Sequence, residues 1–368
     1  MGELYIGLMS GTSLDGADGV LAEFDDPQLA VRAHAHRPFG AALREELLAL
    51  NAPGDNELHR AALAANALAG VYAEVVEALR PAAEGRPVRA VGAHGQTVRH
   101  RPGQFDGIGY TLQLNAPALL AERCGLAVVA DLRSRDLAAG GQAAPLVPAF
   151  HRECFGRPGE DVAVVNIGGI ANLSLLAADG GVSGFDCGPG NALMDLWCQR
   201  HLGRAFDADG AWAAGGRVDA SLLQAALADP WFALPPPKST GRDDFHADWL
   251  EALLARSSTP PAPADVQATL CELTAQSIAR DLGRALPGVH RLLVCGGGAL
   301  NGTLMQRLAA ALPGCRVAST AEHGLPPLQV EATAFAWLAR AHLHGEPGNL
   351  PAVTGARGPR VLGALYPA

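Results

Sequence analysis

The sequence predicts an α/β protein of two domains. Three observations carry this. The chain has 368 residues, long for one hydrophobic core. Apolar, β-branched runs alternate with Ala- and Leu-rich stretches of helical period. Three of those runs enter glycine turns, at Gly11 to Gly16, at Gly168 and Gly169, and at Gly296 to Gly298.

Composition narrows the function. Hydrophobic content of 49% and charged content of 18% are globular values. A net charge of −9 argues against non-specific binding to nucleic acid or to an anionic membrane. Of 28 basic residues only Lys238 is a lysine, a bias that looks genomic rather than chemical. The seven cysteines form no C-x-x-C pair and no Cys/His metal spacing, so they read as reduced thiols of a cytoplasmic protein. The start of the chain lacks the charge-then-apolar pattern of an export signal. No run approaches about eighteen unbroken apolar residues, so no membrane span is expected.

The first element, Leu4 to Leu21, reads as strand, turn and returning strand. Its turn offers glycine N–H groups, the hydroxyls of Thr12 and Ser13, and the carboxylate of Asp15. Such groups can hold phosphate oxygens, and Asp15 can hold Mg²⁺ directly or through water. A plain polar hairpin is the other reading of this stretch alone. Residues 41–50 and 57–80 read as amphipathic helices ended by Pro53 and Pro81. Val88 to Ala93 is a short buried strand delivering His94, Gln96 and Thr97 at its carboxyl end, where α/β sheets gather ligands. Those three are sugar-binding candidates, or else a polar turn with a packed histidine.

Thr111 to Asn115 alternates like a strand, a helix follows to about Cys124, and Leu126 to Ala130 is a further buried strand. After it come Arg133 and Arg135, suited to a carboxylate or phosphate ligand, or to a surface ion pair with Asp131 or Asp136. The Gly140/Gly141 and Pro145/Pro148 cluster marks a domain junction. The expected domains are therefore 1–140 and 141–354, with the tail 355–368 docking back on the first.

Asp161 to Leu176 repeats the strand–turn–strand plan around Gly168 and Gly169, a second phosphate cradle. Asp186 follows on a short glycine-rich loop. A phosphate cradle and a carboxylate this close in sequence point to a phosphotransferase centre. Asn191 to His201 is a helix. Lys238 to Phe245 is a polar loop, either a substrate or closure loop or a surface turn, and Val266 to Leu286 is a helix. Leu292 to Asn301 is a strand running into Gly296, Gly297 and Gly298, where a flat ligand such as adenine or ribose can come close. Glu331 lies near the start of an amphipathic helix, facing away from its apolar stripe, as a helix-dipole carboxylate or a substrate ligand.

Three glycine turns in this order resemble the actin–hexokinase nucleotide-binding superfamily. That resemblance implies two ribonuclease H-like α/β domains with ATP in the cleft between them. Seven strings go further: Met9 to Gly16, Gly92 to Val98, Ala139 to Gln142 with Ala144 to Pro148, Val165 to Leu173, Phe185 to Asn191, Lys238 to Arg242, and Cys295 to Asn301. In family order, over residues 5 to 367, they resemble the anhydro-N-acetylmuramic acid kinases of bacteria. Two positions depart from the family pattern: Cys187 stands for a threonine and Leu132 for a phenylalanine.

The resemblance implies a coupled reaction. Water opens the 1,6-anhydro ring of 1,6-anhydro-N-acetylmuramic acid while ATP, with Mg²⁺, phosphorylates the 6-oxygen, in peptidoglycan recycling. It assigns Asp186 as catalytic base. It places ATP on Gly11, Thr12, Ser13, Leu14, Asp15, Gly16, Ala17 and Asp18, on Gly168, Gly169 and Asn172, and on Gly296, Gly297 and Gly298. His94, Gln96, Thr97, Arg133, Arg135 and Glu331 fall on the sugar side. It also implies a homodimer. Another sugar or acid kinase of the superfamily, or a nucleotide-responsive module without sugar chemistry, stands as the alternative.

Overall fold

The computed structural model describes residues 2–11, 13–25, 28–236, 238–241, 244–256 and 261–368. The chain divides into two compact units, residues 1–154 with 329–368, and residues 155–328.

In the first unit β1 (Glu3–Ser10), β2 (Gly16–Asp25) and β3 (Gln28–Pro38) form an antiparallel meander. β4 (Val88–Pro102) joins β1 in parallel, β5 (Gly109–Leu114) pairs antiparallel with the outer half of β4, and β6 (Val128–Ala130) lies parallel to β4. In the second unit β7 (Val162–Ile167), β8 (Ile170–Leu176) and β9 (Val182–Pro189) form the meander, and β10 (Arg291–Cys295) and β11 (Arg316–Ser319) are the parallel additions. The last strand, β12 (Ala364–Tyr366), returns to the first unit and pairs with β6. Among the described residues the sheets run β12-β6-β4-β1-β2-β3 and β11-β10-β7-β8-β9. Setting aside β5 and β12, the two units share one strand order. The expected α/β class, with two units of the same plan, is what the structure holds.

The covering layers explain which strands are apolar throughout. β7 is buried at every position and β1 at nearly every one, as strands with both faces covered must be. One face of the first sheet carries the helix Glu57–Leu79, whose Leu68, Tyr72, Val75 and Val76 join the core of Ile6, Leu8 and Leu21. This helix, continued to Ala83, is long and apolar enough to cross a membrane by length and composition alone. Here its apolar face is core. The other face carries the helix Val330–His344, so close that a Cβ at Gly7 or Gly92 would overlap the carbonyls of Ala332 and Phe335. In the second unit the helix Pro263–Ala285 packs Val266, Leu270 and Ile278 against Val165, Leu173 and Val294. Each such aliphatic burial contributes about 1.5–3 kcal/mol.

Several expectations change. The boundary after residue 140 moves to 154, and residues 329–354 join the first unit, because the helix Val330–His344 is seated on β1 and β4. That helix is buried around most of its circumference instead of amphipathic. The short strand over 88–93 continues to Pro102, since beyond Gln96 the chain leaves β1 and goes on pairing with β5. The loop expected at Asp186 is strand β9, held by register against β8. β3 and β11 were not foreseen. The inward residues of β3 include Ala33 and Ala35, too small to give a strong alternating signal.

Candidate active site

The turn between β1 and β2 is tied down from below. Ser10 Oγ donates to the Gly95 carbonyl at 3.1 Å, and the Gly95 N–H donates to Tyr72 Oη at 3.2 Å. Tyr72 is left to donate to Ser10 Oγ, 3.1 Å away, which closes the ring of bonds. Burial pushes the Tyr72 phenol up, so it keeps that proton. Gln96, almost fully buried, donates Nε2 to the Gly11 carbonyl at 3.1 Å. It therefore supports the turn, and its Oε1 has no hydrogen-bond partner among the described residues.

Of the turn residues, Leu14 and Ala17 send their side chains into the core, so only their backbone remains for a ligand. Asp15 is exposed and accepts from Ser13 Oγ at 2.7 Å. Asp18 lies on β2 and accepts from His34 and His36 of β3. Thr12 lies outside the described residues.

In the second unit the β7–β8 turn is clamped by the start of the helix Ala192–Leu202. The N–H groups of Gly190 and Asn191 donate to the carbonyls of Gly169 and Gly168, both at 2.8 Å, and Asn191 Nδ2 donates to the Ile167 carbonyl at 3.0 Å. Gly296, at a φ of 77°, and Gly298 press on Asn166 and Ile167 at the end of β7, where a Cβ would not fit. Gly168 and Gly169 are different. Among the described residues a Cβ there would meet nothing nearer than 3.7 Å, and at Gly11 nothing nearer than 3.5 Å. Packing among the described residues does not require glycine at those three positions; the close approach of a ligand to the backbone would.

Register sets the functional row. Asn166 of β7 lies opposite Asn172 of β8, which lies opposite Asp186 of β9, and directly opposed residues share a face. Cys187 points the other way, into the core, and Leu132 is likewise buried in the first unit. Asp186 is half-buried. Its Oδ2 accepts the Thr240 N–H at 2.9 Å, and its own N–H donates to the Lys238 carbonyl at 3.1 Å. Burial raises its pKa to about 6, against the opposing pull of the Thr240 N–H and the Lys238 charge.

A second cluster belongs to the first unit. Arg133 donates Nε to His94 Nε2 at 3.0 Å and Nη1 to the Ala143 carbonyl at 2.7 Å. His94 stacks on Phe335, ring centroids 4.6 Å apart. Burial first, then the Arg133 charge, holds His94 well below the usual histidine range, so it is a neutral acceptor at Nε2. Burial draws Arg133 down to about 10, against the pull of Glu331 and Asp136, so it stays a cation near neutral pH. Thus His94, Arg133 and Glu331 come together electrostatically. Thr97 is half-buried and accepts from Gln113 at 3.3 Å. Arg135 is exposed on the short helix Ser134–Ala138 and does not join them.

The described residues hold no cluster of three His, Cys, Asp or Glu fit for a metal. The sequence as a whole matches the family described as Anhydro-N-acetylmuramic acid kinase over residues 3–368. The chain belongs to that family. It is therefore a kinase. Proteins named anhydro-N-acetylmuramic acid kinase from Variovorax paradoxus (strain S110) and Cupriavidus pinatubonensis are 64% and 61% identical to it. The first match covers 100% of both chains, the second 100% of this chain and 99% of the other. Among solved structures, a xylulose kinase from Rhodospirillum rubrum matches at 13% identity and a TM-score of 0.47, covering 92% of this chain and 90% of the other. A ROK family glucokinase from Streptomyces griseus matches at 15% and 0.41, covering 92% and 99%. Both likenesses are too distant to bear on the chemistry.

Sequence reading missed part of what surrounds Asp186 in this family member. Lys238 is buried, its Nζ 2.9 Å from Asp281 Oδ2 and 4.4 Å from the Trp231 ring centre. The open question of a substrate loop or a surface turn has a third answer: the lysine is an interior anchor. One signal was available. A composition that uses arginine almost everywhere keeps one lysine, at this place.

Proposed function

We propose that this kinase opens the 1,6-anhydro ring of 1,6-anhydro-N-acetylmuramic acid with water and moves the γ-phosphoryl group of ATP to the 6-oxygen. The products are N-acetylmuramic acid 6-phosphate and ADP, and the reaction serves peptidoglycan recycling. The observation that carries the reading is Asp186, a half-buried carboxylate with a pKa of about 6, in one row with Asn172 on a sheet whose turn glycines are open to a ligand.

The bookkeeping of bonds balances. Water oxygen attacks the anomeric carbon as the bond to the 6-oxygen breaks. Asp186 takes the water proton. The 6-oxygen takes the phosphoryl group, and ADP leaves with the bridging oxygen. Asp186 is ionised at neutral pH yet more basic than an ordinary aspartate, the poise a general base needs. As in inverting glycoside hydrolysis, the carboxylate works on the face opposite the leaving oxygen. No protein acid is needed where the phosphoryl group captures that oxygen.

Backbone N–H groups of Gly11 to Asp18 and of Gly168 and Gly169 would hold phosphate, with Asn172 beside them and Gly296 to Gly298 under the nucleoside. Asp15 would help hold Mg²⁺, directly or through water, and the ion would supply neutralisation of phosphate charge. On the sugar side Arg133 offers a cation for the substrate carboxylate, His94 a neutral ring, and Thr97 and Glu331 hydroxyl and carboxylate contacts; Arg135 is dropped from this set and Gln96 acts through the Gly11 turn. We also place the protein in the cytoplasm, which its free cysteines support, and as a homodimer, which the family suggests.

The test is mass spectrometry of the product from the anhydro sugar, ATP and Mg²⁺ in ¹⁸O-labelled water. One solvent oxygen at the anomeric position of a phosphorylated sugar is the expected result. A phosphorylated ordinary reducing sugar, with no product from the anhydro sugar, would overturn the reading.

A further inference from the structure

We propose that Lys238 is a positioning residue for Asp186: its buried ion pair with Asp281 pins residues 238–240 along β9 and sets a positive charge beside the carboxylate. The inference rests on the reading of Asp186 as the base.

Five contacts place this segment. Lys238 Nζ lies 2.9 Å from Asp281 Oδ2 on the helix Pro263–Ala285, and the Lys238 side chain is 2% exposed. The same Nζ sits 4.4 Å from the Trp231 ring centre, a cation–π arrangement. The Lys238 carbonyl accepts the Asp186 N–H at 3.1 Å. Two residues on, the Thr240 N–H reaches Asp186 Oδ2 at 2.9 Å. The segment thus touches Asp186 at its amide and at its carboxylate, and between those contacts Trp231 Nε1 donates to the Ser239 carbonyl at 3.3 Å.

A surface loop of this polarity would be free to swing. This one is nailed inward by the Lys238 side chain, buried against Asp281 and the Trp231 ring. Among the described residues the charged and titratable groups around Asp186 are Lys238 on the loop, Asp281 and Arg284 on the long helix, Asp244 bound to Thr240 Oγ1, and the Cys187 thiol, which burial keeps protonated. Lys238 is the one of these whose charge acts to lower the Asp186 pKa. Asp281 in turn anchors Lys238.

Shifts of the acid limb follow, and they separate positioning from mere support of the fold. The pH dependence of kcat for the anhydro sugar is measured for wild type, Lys238→Met, Asp281→Asn and Asp186→Asn, with binding of a non-hydrolysable ATP analogue as control. Removing the cation raises the Asp186 pKa, so the acid limb of Lys238→Met moves to higher pH, by about half a unit or more, and kcat falls about tenfold or more. Removing the anion frees the lysine side chain from its anchor and takes its charge away from Asp186, so the limb of Asp281→Asn also moves to higher pH. A structural role alone would lower activity in both with the limbs unmoved, and that result overturns the proposal. Wild-type kcat and limb in Lys238→Met also overturn it. If Lys238→Met does not fold, the direction of the Asp281→Asn limb decides. If Asp186→Asn keeps turnover, the base reading fails and takes this inference with it; if Asp186→Asn is dead while both limbs stay put, only the role of Lys238 is wrong.

Discussion

The backbone N–H of Thr240 donates to Asp186 Oδ2 at 2.9 Å, although the two residues are far apart in sequence. Burial raises the pKa of this carboxylate and the hydrogen bond opposes that rise. The outcome, about 6, is a base poised just below neutral pH.

Activity should therefore fall as pH drops through about 6, and Asp186→Asn should lose about 10²–10⁴ in kcat while still binding an ATP analogue. Stability should respond with the opposite sign. The folded-state pKa lies above the ordinary aspartate value, so the fold favours the protonated form. The stability this gives is present at low pH and is lost as pH rises through about 6. Asp186→Asn should thus raise Tm more at pH 8 than at pH 5, read by thermal denaturation.

Glycine substitutions should divide into two kinds. Gly7→Ala or Gly92→Ala drives a methyl into the helix Val330–His344 and should cost about 3 kcal/mol or more by denaturant unfolding. Gly169→Ala meets nothing among the described residues nearer than 3.7 Å and has no left-handed φ, so it should change stability by about 0.5 kcal/mol or less. Calorimetry should instead show ATP binding weakened about tenfold or more, as expected where a phosphate must approach the backbone.

The two arginines should separate. Arg133→Ala removes a half-buried cation beside His94 and should raise the KM for the sugar about tenfold or more, with the KM for ATP little changed. Arg135→Ala, on an exposed face, should leave both within about twofold. His94 is neutral well below the ordinary histidine range, so the sugar KM should show no histidine limb between about pH 5 and 8.

Asp136 should be a stability residue without a catalytic role. It is fully buried and accepts from the Ala143 N–H at 2.8 Å, Asn349 Nδ2 at 2.6 Å and Thr354 Oγ1 at 2.7 Å. Asp136→Ala leaves those donors unpaired and should cost about 3–5 kcal/mol in unfolding experiments.

Strand, glycine turn and returning strand are local patterns, so the sequence by itself determined the α/β class, the three turns and the resemblance that led to the family. A run such as Val162–Ile167 is apolar at each position but one because both its faces are covered, and that shows without any partner in view. Tertiary structure decided the rest. Asp186 read as a loop residue because its strand is fixed by register against β8, a pairing its own glycine-rich neighbours do not announce. The helix Val330–His344 joined the first unit because Gly7 and Gly92 leave room for its backbone, a contact across more than two hundred residues of sequence. Lys238 and Asp281 meet only once a loop folds inward against a long helix. Burial of a charge is a property of the assembled interior, and no local pattern carries it.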